Sequence, residues 1–127
     1  MKNIAIILYG PPGSGKGQQA DLLADAFGLI HIDTGKILRA ILSDPSQMKN
    51  SVNRREKKLN DQGILNTPSW VVGILKKRIR IAAKMGYGVV FSGSPRTLYE
   101  AEKEIPFLEA IYGRNAVKIF FLRVPFA

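Results

Sequence analysis

The chain has 127 residues, 46% of them hydrophobic and 23% charged, the balance of a single folded domain rather than of a disordered segment. With no cysteine and one histidine, it excludes a disulfide framework, a cysteine metal site and a multi-histidine site. The net charge of +9 leaves nucleic acid and polyanionic small molecules as partner classes, and no apolar run reaches the ~18 residues of a membrane span.

Ile4 to Tyr9 is an apolar, partly β-branched run that predicts a buried strand. It follows one lysine and leads straight into a glycine-rich turn, so it reads as a core strand and not a signal peptide; a cytoplasmic location is the expectation. The turn is Gly10-Pro11-Pro12-Gly13-Ser14-Gly15-Lys16-Gly17, and apolar residues at helical spacing follow from Ala20 to Phe27. Strand, glycine loop and helix in that order make a phosphate cradle. Glycines leave backbone N–H groups free to converge on anionic oxygens, the new helix points its positive end at them, and Lys16 adds a full charge. Gly17 stands where such loops usually carry serine or threonine. A glycine-rich hairpin that binds nothing is the plain alternative.

Leu29 to Ile32 predicts a second short buried strand, ended by Asp33-Thr34-Gly35, with Thr34 as the cap of a helix running to Leu42. A turn at Ser43–Ser46 precedes a polar helix that stops at Gly63. Thr67 and Pro68 mark the start of a helix carrying Trp70, Val71, Ile74, Leu75, Ile79 and Ala82 at helical spacing. The basic runs Arg54-Arg55-Glu56-Lys57-Lys58 and Lys76-Lys77-Arg78-Ile79-Arg80 read as solvated helix faces. They lack interleaved aromatics, so nucleic acid is a minor reading. Val89–Phe91 predicts a third strand, followed by Ser92-Gly93-Ser94-Pro95-Arg96-Thr97. A helix from Tyr99 to Tyr112, bent or split at Pro106, leads to a last strand from Ala116 to Leu122. This alternation predicts an α/β, three-layer P-loop NTPase-type fold: one domain over 1–127, with a parallel sheet flanked by helices. The three loops that follow strands should meet beyond the carboxyl ends of the sheet, where ligands sit.

The Pro-Pro-Gly-Ser-Gly-Lys-Gly loop resembles that of the adenylate kinase family of nucleoside monophosphate kinases. Three further segments are similar to that family in order and spacing: His31 to Arg39, Gly63 to Pro68, and Gly93 to Thr97. The resemblance implies transfer of the γ-phosphate of ATP to AMP or a related monophosphate, with Mg²⁺. It implies Lys16, Arg39 and Arg96 as catalytic, and Gly10, Gly13, Ser14, Gly15, Lys16, Gly17 and Gln18 as the ATP-binding set. Thr34, Gly35, Arg39, Asn66, Gly93, Arg96 and Glu100 become acceptor-binding residues, and 34–66 an acceptor-binding helical subregion. A monomer is the expectation, with a dimer as the alternative should the sheet edge be exposed.

Some positions depart from the family pattern. Gln18 replaces a threonine, and Lys36 and Ser92 replace two carboxylates that help hold the water shell of Mg²⁺. No protein metal ligand is therefore assigned, and Asp33 is the nearby carboxylate. Glu100 stands where the family reads the base with glutamine; a carboxylate only accepts hydrogen bonds, which suits guanine or cytosine as well as adenine. A solvated helix position is its other reading. The family continues past the last strand with an arginine-rich lid, so the fold is expected to be incomplete at its C-terminus and the chain a truncated product of a longer one. A natural minimal protein, or a dimer that completes the site, is the alternative. Two other function classes stay open: a nucleotide-binding module with little turnover, and a basic nucleic-acid-binding protein.

Overall fold

The computed structural model describes residues 3–123. The expectations that reach Lys2, Val124 and Pro125 lie outside the described residues. In chain order the elements are β1 (Ala5–Tyr9), α1 (Lys16–Phe27), β2 (Ile30–Ile32), α2 (Thr34–Leu42), α3 (Ser51–Asp61), α4 (Pro68–Lys84), β3 (Val89–Phe91), α5 (Leu98–Tyr112) and β4 (Val117–Phe121). Short 3₁₀ turns at Pro45–Lys49 and Arg114–Ala116 connect α2 to α3 and α5 to β4.

Successive side chains of a strand point to opposite faces. In β1 both sets are buried: Ala5 and Ile7 join one apolar cluster, Ile6 and Leu8 another. A strand that is apolar at every position is one covered on both sides. The first cluster adds Val71, Leu75, Ile79 and Ala82 of α4 and Leu108 of α5; the second adds Ala20 of α1. The sheet is parallel throughout, in the order β2-β3-β1-β4, with Ile7 opposite Phe91 on one side and Ile119 on the other. This is the layered parallel sheet expected of the fold class. β1 is central, so the loop that leaves it emerges at the middle of the sheet's carboxyl edge.

Four local expectations are corrected. β2 is an edge strand, and only Ile32 of its three residues is buried. The helix after it is capped by Asp33, whose Oδ1 accepts from the Lys36 amide at 3.2 Å; Thr34 is the first helical residue. α5 is not split at Pro106, since the ring removes one backbone donor while Ile105, Phe107 and Leu108 beside it anchor the helix in the core. The second basic run is partly packed: the ends of Lys76 and Arg80 lie 5.1 and 5.0 Å from the centre of the Phe107 ring.

Glu104 of α5 lies inside the fold, 1% exposed. Its Oε1 accepts the Ser94 hydroxyl at 3.2 Å, and its Oε2 has no partner among the described residues. Burial drives its pKa up to about 8; the Ser94 hydroxyl opposes that rise and the nearby Glu100 charge adds to it. The folded chain therefore keeps a proton at neutral pH that the unfolded chain, with a carboxyl pKa near ~4.3, has lost. Stability should fall as pH rises from about 4.3 towards 8. Glu104→Gln should remove that slope and raise stability at pH 8 by roughly 4–5 kcal/mol, with little change at pH ~4. Urea unfolding of both proteins at the two pH values checks this.

Candidate functional site

The glycine loop after β1 turns on two left-handed residues, Gly13 at φ +79 and Gly15 at φ +88, where a Cβ would be strained. Ser14 N–H closes the turn onto Pro11 O at 3.1 Å. Gly10 is fixed by contact: a Cβ there would lie 2.6 Å from Ser14 Oγ and 3.1 Å from the Leu122 carbonyl. Ser14 Oγ is buried with no partner among the described residues. α1 begins with Gly15 as its cap, without a side-chain hydrogen bond and without an acidic residue in its first turn. Its leading N–H groups and the positive end of its dipole are thus available to an anion. Lys16 Nζ donates to the Gly10 carbonyl at 2.6 Å and to Pro11 O at 3.4 Å, which holds the ammonium against the loop.

Two arginines arrive from other elements. Arg39 projects from α2, and Arg96 lies on the turn after β3, its Nε donating to Gly93 O at 2.7 Å. Both guanidiniums stand over Gly35: a Cβ there would be 3.0 Å from Arg39 Nη1 and 3.3 Å from Arg96 Nη2. The missing side chain lets two forked donors share one spot, the geometry for gripping a phosphate. Gly35→Ala should leave the fold intact, because the atoms it meets are the ends of flexible side chains. It should weaken monophosphate binding by about 10-fold, the cost of spreading one charge-assisted hydrogen bond. Calorimetric titration against thermal unfolding separates the two effects.

A cavity of about 390 Å³ is lined by Gly13, Ser14, Gly15, Lys16, Gly17, Gln18, Asp33, Gly35, Arg39, Ser92, Gly93 and Arg96. A second, of about 220 Å³, is lined by Gly10, Lys16, Ser92, Gly93 and Arg96 together with Tyr9 and Pro95. The glycine loop and both arginines therefore share one cleft. It presents three cations and a single carboxylate, Asp33, a field that draws polyanions.

Three expected ligand residues are not on the cleft surface. Thr34 is fully buried, donating its hydroxyl to Ser94 Oγ at 2.8 Å, which ties the start of α2 to the turn after β3. Asn66 is buried, its amide donating to Glu56 O at 3.0 Å and Glu56 Oε1 at 3.1 Å. Glu100 is not the solvated helix residue of its other reading: it is 1% exposed. Its Oε1 accepts from the Arg96 amide at 3.1 Å, while the Thr97 hydroxyl caps its own N–H at 3.1 Å. Thr97-Leu98-Tyr99-Glu100 is a capping-box sequence, the signal that identifies this role. Glu100 thus positions Arg96 through its backbone.

Glu56 is the residue that a reading of the charge run missed. It is fully buried on α3, accepting from Thr67 N at 2.9 Å, Thr67 Oγ1 at 2.6 Å and Asn66 Nδ2. Burial would raise its pKa, but the Thr67 and Asn66 hydrogen bonds and the Arg55 charge outweigh it and hold the carboxyl below its ordinary value.

Magnesium is held through one or two carboxylates and the substrate's phosphates. No group of three or more His, Asp or Glu side chains suited to a metal exists among the described residues. Asp33 with three cations around it fits an ion that arrives on a nucleotide's own phosphates, not a protein-built cage. No helix among the described residues is long and apolar enough to cross a membrane.

Comparison with known proteins agrees with this geometry. The family model described as Adenylate kinase matches residues 8–126. An adenylate kinase of Paramagnetospirillum magneticum is 36% identical over 123 residues, covering 94% of this chain and 52% of that protein. Those of Paracoccus denitrificans and Methanothrix thermoacetophila are 39% identical over 99 residues and 40% over 97, covering 78% and 76% of this chain. They are themselves covered to 42% and 43%, so the chain spans about half the length of the curated relatives it matches. A match that runs from within β1 past β4, over a sheet of this order and a cleft built at its carboxyl edge, places the chain in the adenylate kinase family.

Proposed function

We propose that the cleft binds ATP on the glycine loop and AMP or a related nucleoside monophosphate against Arg39 and Arg96, and passes the γ-phosphate between them. The observation that carries this reading is the meeting of Lys16, Arg39 and Arg96 around one cavity, from three separate elements. Phosphoryl transfer asks for little covalent help; it needs alignment and positive charge around the moving group. Lys16 and the loop amides would hold the donor's phosphates. Arg39 and Arg96 would hold the acceptor phosphate over Gly35. α2, α3 and the segment to Asn66 form the acceptor side, with Asn66, Thr34 and Glu100 fixing backbone rather than touching ligand. Bound Mg²⁺ would neutralise charge on the transferring phosphates, with Asp33 as the carboxylate beside it. A monomer drawing both nucleotides from the cytoplasm is the setting that this reading implies.

A second reading, nucleotide binding with little turnover, is favoured by the cleft's single carboxylate and by Gln18 and Ser92 on its lining. Incubation with ATP, AMP and Mg²⁺, read as ADP formed, decides between them. ADP above background supports transfer. Saturable ATP binding without ADP supports the second reading, and no binding removes both.

A further inference from the structure

The chain's single histidine, His31, is mostly buried and lies outside the linings of the two cavities of the cleft. His31 lies on β2 between α1 and β3. Its Nδ1 is 2.8 Å from Asp21 Oδ1, and its Nε2 is 2.6 Å from Ser92 Oγ. The carboxylate at Nδ1 assigns the ring proton to that nitrogen, which leaves the Nε2 lone pair to accept the Ser92 hydroxyl. Carboxylate, imidazole and serine joined in that order, through those nitrogens, form the arrangement that turns a hydroxyl into a nucleophile. Ser92 also lines both cavities, beside Lys16 and Arg96. Ser92 is only 8% exposed, yet a bond that merely tied β2 to β3 would require neither the carboxylate behind the ring nor a serine on the lining of the cleft.

We propose that Ser92 is a phosphorylation site that the chain modifies itself, using a nucleoside triphosphate bound on the glycine loop. The inference rests on the reading of that loop as a triphosphate site. Ser92 Oγ attacks the terminal phosphorus, and its proton passes to His31 Nε2. An Oγ–P bond forms as the bridging P–O bond breaks, and the nucleoside diphosphate leaves with the electron pair. Asp21 holds the imidazole in the accepting tautomer and stabilises the imidazolium that forms. The phosphate then stands in the cavity that Arg39 and Arg96 line, so it should compete with a monophosphate for them.

Incubation of the whole chain with ATP and Mg²⁺, followed by intact mass and peptide mapping, tests this, with ATP affinity measured on the same samples. One phosphate on Ser92 is expected, absent in Ser92→Ala. His31→Gln should slow its appearance by about 10²-fold or more, the scale of general-base catalysis. Asp21 is mostly exposed, so Asp21→Asn keeps the fold and should slow labelling in the same direction. ATP that binds without modifying Ser92 leaves the loop reading standing and overturns this proposal. Labelling at unchanged rate in both His31→Gln and Asp21→Asn overturns it too. ATP that fails to bind removes the loop reading and the proposal together.

Discussion

Arg96→Ala is expected to lower turnover by about 10²–10³-fold, the loss seen when one fixed donor to transition-state charge is removed. The guanidinium is held in place before any ligand arrives: its Nε is on Gly93 O, its backbone amide is on the Glu100 carboxylate, and its Nη2 lies above Gly35. None of the apolar clusters includes it, so the fold should survive its loss unchanged. Arg96→Lys should recover little, because a single ammonium cannot reproduce a two-pronged contact. Removing Arg39 as well should cost less than the sum of the two single losses, since both side chains serve one position. Steady-state kinetics beside a thermal melt reads this; full activity in Arg96→Ala would take the acceptor phosphate away from that spot.

Glu56→Ala is expected to cost about 3–5 kcal/mol of stability, the scale for stripping a buried charge from its partners. Four groups converge on this carboxylate: the Thr67 amide and hydroxyl at 2.9 and 2.6 Å, the Asn66 amide at 3.1 Å, and the Arg55 guanidinium at 3.8 Å. They fasten the end of the Gly63–Thr67 connection to α3 and set where α4 begins. Without the carboxylate, Asn66 and the Thr67 amide are left with buried, unmatched donors. A fall in Tm of roughly 10–20 °C follows for a chain of this size. The acid side behaves consistently. A carboxyl held below its ordinary value contributes stability above about pH 4.3, and loses it as pH falls through the lower folded value. The native chain should therefore show an acid-induced loss that Glu56→Ala lacks. A variant as stable as the parent would make the hydrogen-bonded cluster incidental.

How much of this was visible in the residue string depends on the range of the interactions. The strands were legible because Ile4 to Tyr9 and Val89 to Phe91 are apolar at every position, which only a doubly covered strand tolerates. The glycine loop was legible because its chemistry is local: Gly13 and Gly15 must adopt positive φ, and Lys16 follows at a fixed spacing. Arg39 and Arg96 came from resemblance alone; their meeting over Gly35 depends on two loops far apart in the chain. Resemblance puts Thr34, Asn66 and Glu100 in the pocket, whereas each turns inward to a partner that no periodicity identifies. Glu56 was hidden among arginines and lysines, where a charge run suggests solvent; Asn66 and Thr67, which make it internal, lie 10 and 11 residues away. Glu100 alone had a local signature, since Thr97 three residues before it spells out the cap.

Titrating the isotope-labelled chain with ATP, and following every backbone amide by NMR, tests most directly whether the bend after β1 grips a polyphosphate. The largest shifts should fall on Gly13, Ser14, Gly15, Lys16 and Gly17, with AMP added afterwards moving Gly35, Gly93 and Arg96. Shifts confined to the basic stretch of α4 from Lys76 to Arg80, with the glycine bend unmoved, would contradict it.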